Sequence, residues 1–419
     1  MKKIILLIII LVITGCKSFD ISGENKDKFE EIINSLSGNA LIDTYTIYGR
    51  HFNLSGEIPL EVDNLVLVLK NEEFETEYNL ITSIKDNKTI FKTNELINEG
   101  INLETIKEGE YIFLLKTINS DKTSYYTLKN KTEYSNLEYY TITKDSKNLK
   151  INIEFDNYQD KEFLYLNAKE EKLPDNIYDI VIDAGHGGID VGAHKNGYFE
   201  SKINLDYAKK LESELIKLGL KVKMTRTSDT SIPNYGEEGR VSIPYLTKAK
   251  LMLSIHMNSA VNNVGSGGVE IYVANNSDTT FASNLAKNIV GFTSTNYSKN
   301  TFCKIDSGVY LRTLSKSDIK EIEEEAKEKG FTPYEKATTR STYYYIIRET
   351  GGIVTGAYVD SRNKEKEYNH YYNSNHGCES YLLELGYMNS NTNLDILLKE
   401  RDSYIKGIVL SIKEYLNLI

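Results

Sequence analysis

Residues 180–190 read Ile-Val-Ile-Asp-Ala-Gly-His-Gly-Gly-Ile-Asp, and this stretch decides the fold of the larger part of the chain. Ile180-Val181-Ile182 is an apolar run too short for a helix, and glycines follow at once, so it reads as a buried strand ending in a sharp turn. Moving outward, Ile203, Ala208, Leu211, Leu215 and Leu218 recur at helical spacing, and Gly219 supplies a stop. Val222-Lys223-Met224, Leu251-Met252-Leu253, Val269 to Val273 and Tyr381 to Leu385 read as further strands. Ile405, Ile408, Val409, Ile412 and Leu416 mark a last helix. Strands alternating with helices predict an α/β domain with a central mixed sheet flanked by helices, over 176–419.

Upstream the pattern changes. Pro174-Asp175-Asn176 reads as a boundary, and residues 41–170 hold short strand-like runs separated by turn groups such as Lys85-Asp86-Asn87. Ile151, Ile153 and Phe155 alternate with polar residues, whereas Leu65 to Leu69 and Tyr111 to Leu115 are apolar at both parities, as strands buried on both faces are. A small all-β, immunoglobulin-like domain is expected there, as a spacer or a wall-binding module. Residues 17–40 are polar, with a weak amphipathic stretch through Phe29, Ile32, Ile33 and Leu36, and read as a tether. The first sixteen residues pair Lys2 and Lys3 with an apolar run from Ile4 to Thr14, a secretory signal too short to remain as a membrane span. Ile13-Thr14-Gly15-Cys16 resembles a lipobox, in which Cys16 is lipidated and anchors the chain to the outer face of the cytoplasmic membrane.

The chain has 419 residues, a length suited to two domains plus a leader, and a net charge of −10, which argues against nucleic acid as a partner. Beyond Cys16 only Cys303 and Cys378 remain, enough for one disulfide or two free thiols but not for a disulfide scaffold.

Three segments of the α/β part carry candidate chemistry. His186 follows a strand in a glycine-rich turn, at the end where α/β sheets place their ligands. Glu200 opens the first long helix, and His256 ends the strand Leu251 to Ile255. Two histidines and a carboxylate at element edges make the donor set of an open catalytic zinc site, with the fourth position left to water. Such a site also needs an unbound carboxylate to move protons. Glu384, a charge inside the apolar strand Tyr381 to Leu385, is the candidate, because a buried lone carboxylate is costly without a function. His51, His194, His370 and His376 lack this strand-end context and read as structural or surface residues.

The order Asp-Ala-Gly-His-Gly-Gly-x-Asp, a Glu opening a helix, Thr225-Arg226, Ser254-Ile255-His256-x-Asn258 and Leu382-Leu383-Glu384-Leu385-Gly386-Tyr387 resembles the zinc-dependent N-acetylmuramoyl-L-alanine amidases of the amidase 3 type. The resemblance runs from Ile180 to Ile419, and it implies one zinc ion on His186, Glu200 and His256 with Glu384 as general base. The implied reaction cleaves the amide between the lactyl group of N-acetylmuramic acid and L-alanine of the peptidoglycan stem. Arg226, Arg240 and Asn258 fall on family positions and are expected to be structural or to bind substrate. The chain departs from the compact pattern in an insertion at about 311–376. Its charged run from Lys316 to Lys329 reads as a solvated helix; similarity to division-associated amidases gives it instead an inhibitory role, relieved by a protein activator. Competing readings are a zinc peptidase of the stem peptide and a catalytically silent wall-binding lipoprotein.

Overall fold

The computed structural model describes residues 30–419 apart from 31, 72, 120–121, 132–135, 144–146, 235–237, 260–266, 329–336, 349 and 351–375. The signal and Cys16 lie outside the described residues.

The amino-terminal part is all-β. Its structured region starts inside the stretch expected as a tether: residues 32–34 are helical, Leu36–Tyr48 is already a strand, and Ile33 is buried beside Phe163 and Tyr165. The doubly apolar runs behave as their parity demands. Leu65, Leu67, Leu69, Phe113 and Leu115 enter the main β core, while Val68, Ile112 and Leu114 enter a second cluster on the opposite face. Among the described residues, hydrogen bonds join these strands and His376–Gly377 into one thirteen-stranded network, with Leu36–Ile42 running parallel to Tyr125–Asn130. The strand Gly109–Asn119 bonds to three others, including Leu65–Lys70 and Lys161–Glu170. An immunoglobulin-like sandwich needs two sheets that meet only through side chains. These pairings establish the all-β class and not that arrangement.

The carboxyl-terminal part is α/β, as its alternation predicts. Its seven-stranded sheet has the order Val222–Met224, Ile180–Ala184, Leu251–Asn258, Glu379–Tyr387, Glu270–Tyr272, Val309–Tyr310, Lys304–Asp306. The first four strands are parallel and Glu270–Tyr272 joins antiparallel, so the sheet is mixed. Side chains alternate across it. Ile180, Ile182, Leu251, Leu253, Tyr381 and Leu383 face the helices Glu200–Ile216, Thr280–Phe292 and Arg401–Tyr415, and Val181, Met252 and Leu382 face the opposite core with Ile346 and Ile347. Cys303 and Cys378 are free thiols. Among the described residues no helix is long and apolar enough to cross a membrane.

Candidate metal centre and active site

The three central parallel strands deliver the site. His186 lies two residues beyond Ile180–Ala184, His256 is near the end of Leu251–Asn258, and Glu384 sits directly across the ladder from His256. The turn after Ala184 bends hard: His186 has φ +59°, a costly value for a residue with a side chain, between Gly185 and Gly187 at φ +136°. Gly187 and Asp190 exchange backbone hydrogen bonds and close the loop.

This bend aims the His186 ring. Asp190 Oδ2 meets its Nδ1 at 2.8 Å, and its Nε2 lies 3.2 Å from Glu200 Oε1. His256 Nδ1 is 3.1 Å from the same Glu200 oxygen, and one ligand atom from each residue lies within 4.8 Å of the others. Glu200 is the first residue of its helix, where the partial positive charge of the terminus favours a carboxylate. Two glycines clear the space. A Cβ on Gly185 would stand 2.3 Å from the His256 ring, and one on Gly192 would stand 2.6 Å from Glu200 Oε2.

The electrostatics follow from this crowding. Burial opposes charge on His186, yet hydrogen bonds and charges from Glu200 and Asp190 outweigh it and push the imidazole up to about 9. Burial likewise opposes charge on Glu200, but both histidines hold it well below the usual carboxylate range. Glu384 goes the other way: burial, then the negative charges of Glu200 and Glu270, push it well above that range. Its Oε2 is buried without a hydrogen-bond partner. The donor set, the glycine-cleared space and this orphaned oxygen fit a metal ion held by His186, Glu200 and His256. A cleft of about 650 Å³ is lined by His186 and His256, with Ile189, Pro233, Tyr344, Tyr345 and Glu384.

Two of the three remaining expected residues hold the loop, and the third meets another strand of the sheet. Arg226 donates to the carbonyls of Ala184, Gly185, Ser201 and Ser228 at 2.7–3.0 Å, and so is committed to backbone. Arg240 pairs with buried Asp183 and donates to the carbonyls of Ala184 and His186. Asn258 donates to Glu270 Oε2 at 3.0 Å. These contacts tie all three to backbone carbonyls or buried carboxylates, and of the three only Arg240 borders the cleft. Asp183 and Asp190 stand in the quoted motif without an assigned role, and Glu270 went unread in the sequence. Glu270 carried the signal that marked Glu384, a carboxylate inside an apolar strand, and it accepts from Asn258, Tyr272, Ser298 and Tyr387. Asp190 stands four residues after His186, a spacing that proves useful only because the loop turns back.

His194 is exposed on a two-residue strand against Phe199, His51 lies 3.5 Å from Glu379, and His370 is outside the described residues. His376 joins the β part through backbone pairing with Ile47. The charged run forms a helix, Lys316–Glu328, whose Glu321, Glu323, Glu324, Glu325 and Glu328 are exposed. None of these glutamates borders the cleft.

Fold and site together define an α/β protein with a candidate metal centre at the carboxyl ends of its parallel strands. Its family is shown by sequence: the model described as Amidase_3, N-acetylmuramoyl-L-alanine amidase, matches residues 180–414, and the chain belongs to that family. Among its relatives, N-acetylmuramoyl-L-alanine amidase AmiA of Escherichia coli strain K12 is 38% identical over 97 residues, 23% of this chain and 32% of AmiA. LytC of Bacillus subtilis strain 168, also an N-acetylmuramoyl-L-alanine amidase, is 34% identical over 110 residues, 26% of this chain and 21% of LytC. The chain thus spans about a third or less of the length of these curated relatives. The catalytic domain of CwlV, an N-acetylmuramoyl-L-alanine amidase from Bacillus (Paenibacillus) polymyxa var. colistinus, is 24% identical with a TM-score of 0.38, covering 58% of this chain and 100% of that one. AmiC2 of Nostoc punctiforme is 22% identical with a TM-score of 0.39, covering 58% and 98%.

Proposed function

We propose that this protein is a zinc-dependent N-acetylmuramoyl-L-alanine amidase, held at the outer face of the cytoplasmic membrane by lipid on Cys16. The observation that carries the reading is half-buried Glu384, whose buried Oε2 has no hydrogen-bond partner, one strand across from His256 of the His186, Glu200 and His256 cluster. In this reading 1–16 is the leader, the tether is the part of 17–40 ahead of the helical residues 32–34, the β domain runs from there to 170, and 176–419 is the amidase domain, with its insertion at about 311–376.

When bound by His186, Glu200 and His256, zinc lowers the pKa of a water molecule and polarises a carbonyl. The chain's own residues do the rest. Asp190 occupies Nδ1 of His186 and leaves Nε2 free to ligate. Glu200 opposes both rings and supplies the negative donor. Glu384, raised in proton affinity, takes a proton at Oε2 from the attacking water and returns it to the departing alanine nitrogen. Tyr344, Tyr345 and Ile189 line the cleft and present apolar surface to the sugar and stem. The exposed glutamates of Lys316–Glu328 favour the solvated reading of that helix, so this proposal requires no activator.

The test is purified protein spanning residues 17–419, incubated with zinc and peptidoglycan and assayed for new L-alanine amino termini. Release that disappears in His256→Ala supports the amidase. Cleavage within the stem peptide, or none from folded zinc-loaded protein, refutes it.

A further inference from the structure

The end of the sheet opposite the cleft is as elaborate as the cleft. Asp179, Lys250 and Glu379 stand at the amino ends of the three strands that lead to His186, His256 and Glu384, and register places Ile180, Leu251 and Glu379 side by side. Backbone hydrogen bonds link them, from Lys250 to the Asp179 carbonyl and from Glu379 to the Lys250 carbonyl. All three side chains are buried, and each is tied directly or through its neighbour to the β part. Lys250 Nζ lies 3.1 Å from Glu104 of the β part and 3.2 Å from Asp179, with every partner at least 96% buried. Glu104 also accepts from Tyr139 and Thr141. Glu379 accepts from Asn98 of the β part at 3.3 Å, from Tyr381 at 3.0 Å and from Tyr415 at 2.6 Å.

Backbone contacts repeat the connection. His376–Gly377 pairs with Ile47 and Tyr48 inside the β network, one residue before the strand Glu379–Tyr387 begins. The turn at Gly49 comes so close that a Cβ there would stand 2.5 Å from Glu379 Oε1. Asn98 bonds to backbone on both sides of Asp278, and the Ile97 amide donates to the Asn276 carbonyl.

We infer that the β part is the base of the active site rather than a separable spacer or wall-binding module. It holds the amino ends of the strands that present His186, His256 and Glu384, with Lys250 and Glu379 as positioning residues. Strands are stiff along their length, so anchoring Lys250 and Glu379 sets the placement of His256 and Glu384 about 17–20 Å away. A buried cation between two buried carboxylates has one satisfactory geometry, which gives the three strands a common register. The assignment of a metal centre at the far end rests on the amidase reading above.

The experiment uses the full mature chain with two substitutions confined to the β part, Glu104→Gln and Asn98→Ala, and Glu138→Gln in the partly exposed Lys248 pair as a control. Cobalt(II) is the probe, read by its visible spectrum and its dissociation constant. Amide hydrogen exchange is followed in Leu251–Asn258 and Glu379–Tyr387. We expect about tenfold weaker cobalt binding, an altered spectrum and faster exchange in both strands for the first two variants, with kcat falling and KM near wild type. Glu138→Gln should match wild type, and Glu104→Gln should retain more cobalt affinity than Glu104→Ala. Folded Glu104→Gln and Asn98→Ala proteins with wild-type cobalt affinity, spectrum and exchange would overturn the inference. Should wild type cleave no muramoyl–alanine amide while its cobalt site still depends on Glu104, the amidase reading falls and the base stands. Amidase activity and a cobalt site both indifferent to Glu104 and Asn98 give the reverse.

Discussion

The two ends of the same three strands carry similar residues in opposite conditions. At the amino ends, Lys250 is raised because Glu104 and Asp179 outweigh the burial that disfavours its charge, and Glu379 accepts three hydrogen bonds. At the carboxyl ends, Glu384 has an unpartnered oxygen and like-charged neighbours, and His186 sits in a strained backbone conformation. Asp179, Lys250 and Glu379 are buried and His186, His256 and Glu384 half-buried, yet Glu384 Oε2 is itself buried, so burial alone does not mark function. The distinction lies in whether the buried charge is answered. Answered charges hold the sheet, and the unanswered one is available for chemistry.

The comparison breaks most sharply at Glu384. Glu384→Gln should lower kcat by about two to four orders of magnitude while leaving cobalt(II) affinity nearly intact, measured by L-alanine release and metal titration. Near-wild-type turnover would mean that the unanswered carboxylate is not the proton carrier.

The answered charges sharpen the contrast through stability. Arg240→Met strands Asp183 as a buried unpaired carboxylate and should cost about 3–5 kcal/mol in urea unfolding. Asp183 also predicts a pH dependence. Burial raises its pKa, but the Arg240 charge and hydrogen bonds from Ser254 and Thr225 bring the net value below the usual one. A depressed folded pKa contributes stability above the unfolded value of about 3.9, lost as pH falls through the folded value. Wild type should therefore lose stability below about pH 4, and Asp183→Asn, less stable at neutrality, should show a flatter slope there.

A smaller effect is expected where packing alone meets the ligands. Gly192→Ala places a methyl against Glu200 Oε2 and His186 Cδ2 at φ +64°. It should weaken cobalt(II) binding by about tenfold without unfolding the domain, as isothermal titration would record. An unchanged affinity would show that the loop can relax. The smallest effect belongs to Lys316–Glu328: Glu321→Gln with Glu325→Gln should alter basal L-alanine release by less than about twofold, as solvated surface charges do. An increase of about tenfold would restore the inhibitory reading of that helix.

Much of this was legible locally. Period-two and helical spacing set the α/β order, and the parity of Leu65 to Leu69 predicted burial on both faces because side chains alternate across a strand. His186, Glu200, His256 and Glu384 were readable because each is a polar residue at an element edge or inside an apolar run. Asp183 and Glu270 lie in such runs as well, and received no role because a buried carboxylate reveals its role only through its partners. Arg226 and Arg240 were expected to be structural or to bind substrate. The carbonyls they meet belong to residues up to 56 positions away, a pairing that no local pattern encodes.

Residue types and their spacing therefore determined on their own the alternation of strands and helices around the site, and which four side chains could share it. Local sterics and the alternation of apolar surface act within a few residues and need no partner. Only the tertiary structure decided that Asp190 turns His186 toward Glu200, that Glu384 is left without an answering charge, and that Glu104 and Asn98 of the β part reach the base of the catalytic sheet. Those outcomes depend on contacts between residues as much as 281 positions apart, and only the packed chain brings them within hydrogen-bonding distance.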